Sequence, residues 1–217
     1  MAKKQREEER RAQILWAAIQ CVAELGIEGA TMKKIAERAG VSTGMITYYF
    51  RSKNDLMKNA LAFGHSMVGE RSRRLREGNR SREFLPTLFE VSLVDDAPSV
   101  PPLSFWIEYW AHASRDSELK DFRAERIARF RQTIAEAVKG GIQAGRYRES
   151  LDPLLAADLL QAVLDGLQLK VALDSATVSR SRAMKVVRFL LHLMAVESPP
   201  EEQPVAPGTR PNGSTLS

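Results

Sequence analysis

The sequence predicts an all-α protein, and three features carry that prediction. Apolar residues recur every three or four positions along most of the chain, the period of an amphipathic helix. Runs of β-branched residues bounded by turns, the mark of strands, are scarce. Helical patterns also begin at cap residues and stop at glycine or proline, as at Gly26, Gly40 and Asp152-Pro153. The 217 residues can bury a substantial core. The periodic segments, about nine of them, fall into a head at 1–52, a helical body at 53–196 and a tail at 197–217.

Residues 1–8, MAKKQREE, read as a frayed basic arm. The first helix is predicted over about Glu9 to Leu25, with Ile14, Ala18, Cys21, Val22 and Leu25 as its apolar stripe and Gly26 ending it. Thr31 then stands as the N-cap of a helix whose inner face is Ile35, Ala36 and Ala39, and Gly40 can take the positive φ of a helix C-terminus. Ser42 caps the next helix at once, which gives two short helices on a glycine-containing turn, a helix-turn-helix. On the second of these helices Ile46 and Phe50 point one way. Thr43, Gly44, Thr47 and Tyr48 point the other, a surface of small and hydroxylated groups suited to base edges in a major groove. Ser52 with Asp55 forms a capping box for a fourth helix. Lys53 in its first turn opposes the macrodipole unless an anion, such as a DNA phosphate, lies nearby.

The fourth helix is predicted from Lys53 to about Gly78, apolar at first and ending in RSRRLREGNRSR, where Arg71, Arg73, Arg74 and Arg76 read as a solvated face. A short helix with Pro86 in its first turn follows, then a proline loop at 95–102. In the next segment Trp106, Tyr109 and Trp110 share one face, which either packs a core or walls a ligand pocket. Ser117 is the expected cap of a long helix to about Gly140, buried through Leu119, Phe122, Ile127, Phe130, Ile134 and Val138, with the charges of DFRAERIARFRQ outside. Gly140, Gly141 and Gly145 read as helix-end residues. Asp152-Pro153 opens a helix that is apolar almost all round, and a last helix over about Val178 to Val196 leaves only Lys185, Arg188 and His192 on a polar strip. Two such helices need cover on two sides, so a two-fold dimer through them is expected, with Gly166 permitting close approach. The tail from Glu197 is too polar and proline-rich to order itself.

Charge is segregated. Residues 1–82 carry 17 Lys and Arg against 9 Asp and Glu, whereas residues 83–217 carry 15 against 18. Positive charge gathered on the half with the helix-turn-helix is the footprint of a polyanionic partner. The single cysteine, Cys21, permits no internal disulfide, and no secretory or membrane-spanning stretch is evident, so a soluble cytoplasmic protein is expected. His65, His112 and His192 are scattered without metal-ligand spacing, and no nucleophile elbow or phosphate loop is present. Neither an enzyme nor a bound cofactor is expected.

The run Thr31-x3-Ile35-Ala36-x2-Ala39-Gly40-Val41-Ser42-x-Gly44-x-Ile46-x2-Tyr49-Phe50-x-Ser52-Lys53-x2-Leu56 resembles the DNA-binding domain of the TetR family of transcriptional regulators. That resemblance implies base contacts from Thr43, Gly44, Thr47 and Tyr48 and phosphate contacts from Thr31, Ser42, Tyr49 and Lys53. It also implies that the fourth helix joins the DNA head to a ligand-sensing body. FWIEYWAHASRDSELKDF and LDGLQLKVAL resemble the C-terminal domain of BetI-type repressors, which respond to choline-pathway compounds. Trp106, Tyr109, Trp110 and Asp165 are then the expected ligand-binding residues, and Glu108 or Asp165 could complete a box for a cationic effector. The implied activity is that of a dimeric repressor, bound to a palindromic operator on double-stranded DNA and released by a small molecule. A ligand-independent architectural DNA binder and an activator are the alternatives.

Overall fold

The computed structural model describes residues 2–78, 83–94, 99–174 and 176–196, so the expected tail at 197–217 lies outside it. The described residues form α1 (Ala2–Gly29), α2 (Met32–Ala39), α3 (Thr43–Tyr49), α4 (Lys53–Gly78), α5 (Phe84–Ser92), α6 (Leu103–Ala113), α7 (Ser117–Gln143), α8 (Pro153–Leu173) and α9 (Arg180–Met194). No strand occurs among them; one isolated bridge joins Tyr147 to Ala195.

In the head, α1 packs on α2 and α4 through Ile14, Ala18, Cys21, Val22, Ile35 and Leu56, all buried. Leu25, expected on that stripe, is 43% exposed. Helix α1 breaks at Gly26, whose φ of 70° lies in the left-handed region. Its N-terminal end departs from expectation, because residues 2–8 continue the helix instead of fraying. Lys4–Glu8 and Gln5–Glu9 contacts at i, i+4 support that extension. Cys21 is an ordinary core residue, and burial pushes its thiol up against the lowering influence of Arg38.

Helix α2 stops at Gly40, where φ is 62° and the amide N–H returns to the carbonyls of Ala36 and Glu37. Val41 N–H bonds the Ala36 carbonyl as well, which closes the turn and sets α3 across α2. Ser52 caps α4 as expected, with Asp55 N–H donating to Ser52 Oγ at 3.0 Å, but the Asp55 carboxylate accepts from Arg51 N–H at 2.9 Å, one residue before the cap.

In the body, α5 and α7 pack on α4, α8 lies along α7, α9 packs on α5 and α8, and α6 lies along α1. The arginine run on α4 divides. Arg73 and Arg74 pair with Glu70 at the surface, as expected, but Arg76 stacks over Phe84 at 4.9 Å and Arg71 bonds Ser99. Helix α7 is capped by Asp116, which accepts from Leu119 N–H at 3.0 Å, not by Ser117. Its buried side is Leu119, Ile134, Ala135, Val138 and Gly141, with Phe122, Ile127 and Phe130 only half-buried. The helix runs on to Gln143, so Gly140 and Gly141 lie in its last turns, where the Tyr147 ring rests on Gly141. Asp152 caps α8 through Leu154 and Leu155 N–H, with Pro153 in the first turn.

Candidate nucleic-acid interface and effector cavity

The head leaves one short helix almost bare. Within α3 only Ile46 is buried, and Phe50, just after it, is 1% exposed. Arg11 covers the outer side of that ring at 5.4 Å. This pair of anchors turns the opposite side of α3 outward. Thr43, Gly44 and Thr47 are exposed, and Tyr48 is 77% exposed. The Tyr48 ring stands edge-on to Tyr49 at 5.1 Å, and Tyr49, half-buried, packs toward Phe50.

The hydroxyls on this surface are already oriented. Thr31 Oγ1 and Ser42 Oγ accept the capping N–H groups of Lys34 and Met45 at 3.3 and 3.2 Å, which leaves each O–H free to donate outward. Thr47 Oγ1 instead donates to the Gly44 carbonyl at 3.0 Å, so its methyl and a lone pair remain for a partner. Lys53 is not wholly extended. Its Nζ bonds the Glu28 carbonyl at 3.3 Å, and burial lowers its ammonium against the raising influence of Glu28. All eight residues expected at a DNA interface therefore lie on α3 or at the helix ends beside it, none of them fully buried.

A second feature lies in the body. A cavity of about 320 Å³ opens between α4, α5, α6, α7 and α8. Trp106, Trp110 and Asp165, expected at a ligand site, all line it. Tyr109 does not. It lies about 100° around the helix from Trp110, is fully buried against Phe105, and its hydroxyl finds no partner among the described residues. Burial, with Asp116 nearby, drives that hydroxyl's pKa up. Glu108 is absent from the lining too, its carboxylate lying over Gly26 of α1.

The remaining walls were not evident in the sequence. Leu61, Leu88, Phe130 and Leu164 supply apolar surface, and Arg123, Arg126, His65 and Gln161 supply polar groups. His65 Nδ1–H donates to the Leu61 carbonyl (3.1 Å), and the ring packs on Trp106 at 4.8 Å. Burial first, then Arg126, pushes its pKa down to about 4, so the ring is neutral. Asp165 is pushed up by burial while Arg123 opposes. The available signal was spacing: Arg123, Arg126, Ile127 and Phe130 share one stripe of α7.

Two family descriptions match the chain. Residues 14–60 match bacterial regulatory proteins of the tetR family, and residues 81–195 match the C-terminal domain of BetI-type transcriptional repressors. The chain belongs to the TetR family of transcriptional regulators, with a BetI-like C-terminal domain. Among its relatives is the HTH-type transcriptional regulator BetI of Burkholderia cenocepacia (strain HI2424). It is 28% identical over 189 residues, which cover 85% of this chain and 93% of the relative. A TetR-family regulator from Rhodococcus sp. superposes with a TM-score of 0.74 at 27% identity, covering 85% of this chain and 99% of that one. A regulator from Saccharomonospora viridis, solved in complex with choline, matches with a TM-score of 0.74 at 24% identity, covering 88% and 100% of the two chains. No described helix of this TetR-family chain is long and apolar enough to cross a membrane, and no group of three or more metal-binding side chains occurs among the described residues.

Proposed function

We propose that this TetR-family regulator is a homodimeric repressor that holds a near-palindromic operator through paired α3 helices and is released by a small molecule in the body cavity. The observation that carries the reading is the bare face of α3, where Thr43, Gly44, Thr47 and Tyr48 stand exposed beside the capping hydroxyls of Thr31 and Ser42. Such a face has no role in the head's own packing and suits the edges of base pairs.

Dimerisation is supported by two apolar stripes on one protomer. Leu155, Leu159, Ala162, Gly166, Leu169 and Leu173 follow one another along α8 at steps of four and three. Val186, Phe189 and Leu193 do the same along α9. Leu155, Phe189 and Leu173 are each more than 60% exposed. Steps of three and four keep a seam on one side of a helix, the pattern of helices packed in a bundle. A Cβ on Gly166 would meet nothing within 4 Å of its own protomer, which leaves that position open to a second copy.

Release is supported by the cavity's position. Its wall α7 begins at Asp116 and Glu118, and both accept hydrogen bonds from Asn54 in the first turn of α4, next to Lys53. A molecule that shifts α7 therefore reaches the DNA head through α4. Choline, bound by the Saccharomonospora relative, is one model for the effector.

Selection of bound duplexes from a random pool tests the reading. An inverted repeat should emerge, with half-sites spaced by about one helical turn, roughly 34–36 Å, or a multiple of it. A pool that yields no repeat would exclude it.

A further inference from the structure

The effector cavity is charged in one sense. Among the described residues, Arg123, Arg126 and Arg129 line it against a single carboxylate, Asp165. None of the three guanidiniums has an ion pair or a hydrogen bond among the described residues, whereas Arg131 on the same helix is paired with Asp158. Arg123 Nε is cut off from solvent as well as from partners. A buried, unpaired guanidinium nitrogen is costly, and a group that binds it recovers that cost.

The features that would hold a cation are already in use. Arg123 lies over the Trp110 ring at 5.6 Å, occupying the π-face that a quaternary ammonium would need. Trp106 is packed edge-on to Phe105 and against neutral His65. Glu108 lies outside the cavity, and Asp165 has Arg123 for a neighbour. Opposite α7, Gln161 is 8% exposed and makes no hydrogen bond among the described residues, so its amide is available to a ligand.

Arg123 and Arg126 are three apart on one helix face, a spacing at which two guanidiniums can converge on one small anion. We infer that the cavity takes an amphipathic monocarboxylate, its head group held by Arg123, Arg126 and Gln161 and its tail against Leu61, Phe130 and Leu164. This inference rests on the effector reading above and gives that site its ligand class. It separates this chain from the choline-bound relative by the sign of the ligand's charge.

Three molecules with the same tail and different heads test it: octanoate, 1-octanol and octylammonium, titrated calorimetrically into the full-length protein, with choline as a fourth. Octanoate should bind about tenfold or more tightly than octanol, and octylammonium and choline should bind weakest. Arg123→Gln and Arg126→Gln should bring octanoate down to the octanol level while octanol affinity stays unchanged. A collapsed cavity would lose both. Tighter binding of octylammonium or choline, equal binding of octanol, no binding of any tail, or Arg variants that leave octanoate affinity intact would each overturn the inference. Operator occupancy, followed in parallel, separates the two claims. If choline binds and frees the operator, the effector reading stands and the carboxylate falls. If octanoate binds as expected but the operator stays occupied, the carboxylate stands and the release mechanism falls.

Discussion

Lys58 on α4 places its ammonium 2.6 Å from a Glu118 carboxylate oxygen in the first turn of α7. Asn54, one turn earlier, donates to the same carboxylate at 2.9 Å and to Asp116 at 3.1 Å. The start of the helix that walls the cavity is thus fastened to the start of the helix that carries the head. These bonds are largely solvent-exposed, so water and salt screen them and they add little to stability. Their importance lies in position.

Glu118→Gln with Asn54→Ala should therefore leave folding and operator affinity near normal while shrinking the effector's influence on that affinity. Coupling of this kind is typically about 1–3 kcal/mol, and the double variant should lose most of it. Operator titrations with and without effector measure the difference. An undiminished effect would place the signal on another route.

At the head, Lys53→Ala and Thr47→Val should separate affinity from specificity. Loss of the Lys53 ammonium should weaken binding to every duplex and reduce the salt slope by about one. Thr47→Val keeps the methyl but removes the hydroxyl that now bonds Gly44, so it should change preference at one base pair with the slope intact. Anisotropy titrations across ionic strength distinguish the two patterns.

His65 predicts an acid-sensitive body. Its folded pKa, held at about 4 by burial and by Arg126, lies below the 6.5 of a free imidazole. The unfolded chain therefore takes up a proton first as pH falls. Stability should be whole above about pH 6.5 and decline toward pH 4, by at most about 3 kcal/mol. His65→Gln should flatten that decline in denaturant titrations at a series of pH values.

Gly141→Ala should destabilise the chain. An added Cβ would collide with the Tyr147 ring, which is itself buried. Helix propensity gains roughly 0.5–1 kcal/mol from the change, but overpacking costs about 1–3 kcal/mol. The clash should prevail, lowering the thermal midpoint, and Tyr147→Ala in the same chain should relieve it.

Much of this architecture was legible because local chemistry spells it out. Thr31 and Gly40 bracket α2, Asp152-Pro153 opens α8, and Ile46 with Phe50 fixes which side of α3 faces out. The cavity was half legible. Trp106, Trp110 and Asp165 share it, but α6 is packed on α1 as well as on the cavity, so its aromatic face is split and Tyr109 belongs to the core. Arg123 and Arg126 were hidden by their type. A charged residue on a helix reads as solvated, and only tertiary packing reveals that the long stem leads inward beside Ile127 and Phe130. The same limit applies at Lys53, whose bond to the Glu28 carbonyl spans an interhelical gap that sequence does not record.

The most direct measurement of the central claim is the stoichiometry of the protein on its selected duplex, compared with a single half-site, for the wild type and for Phe189→Asp. The wild type should load two protomers together on the inverted repeat and bind the half-site far more weakly. Phe189→Asp, which puts a charge in the exposed stripe of α9, should bind both duplexes alike as a monomer. A wild-type protein that binds one protomer per duplex, with no preference for the repeat, would contradict the account.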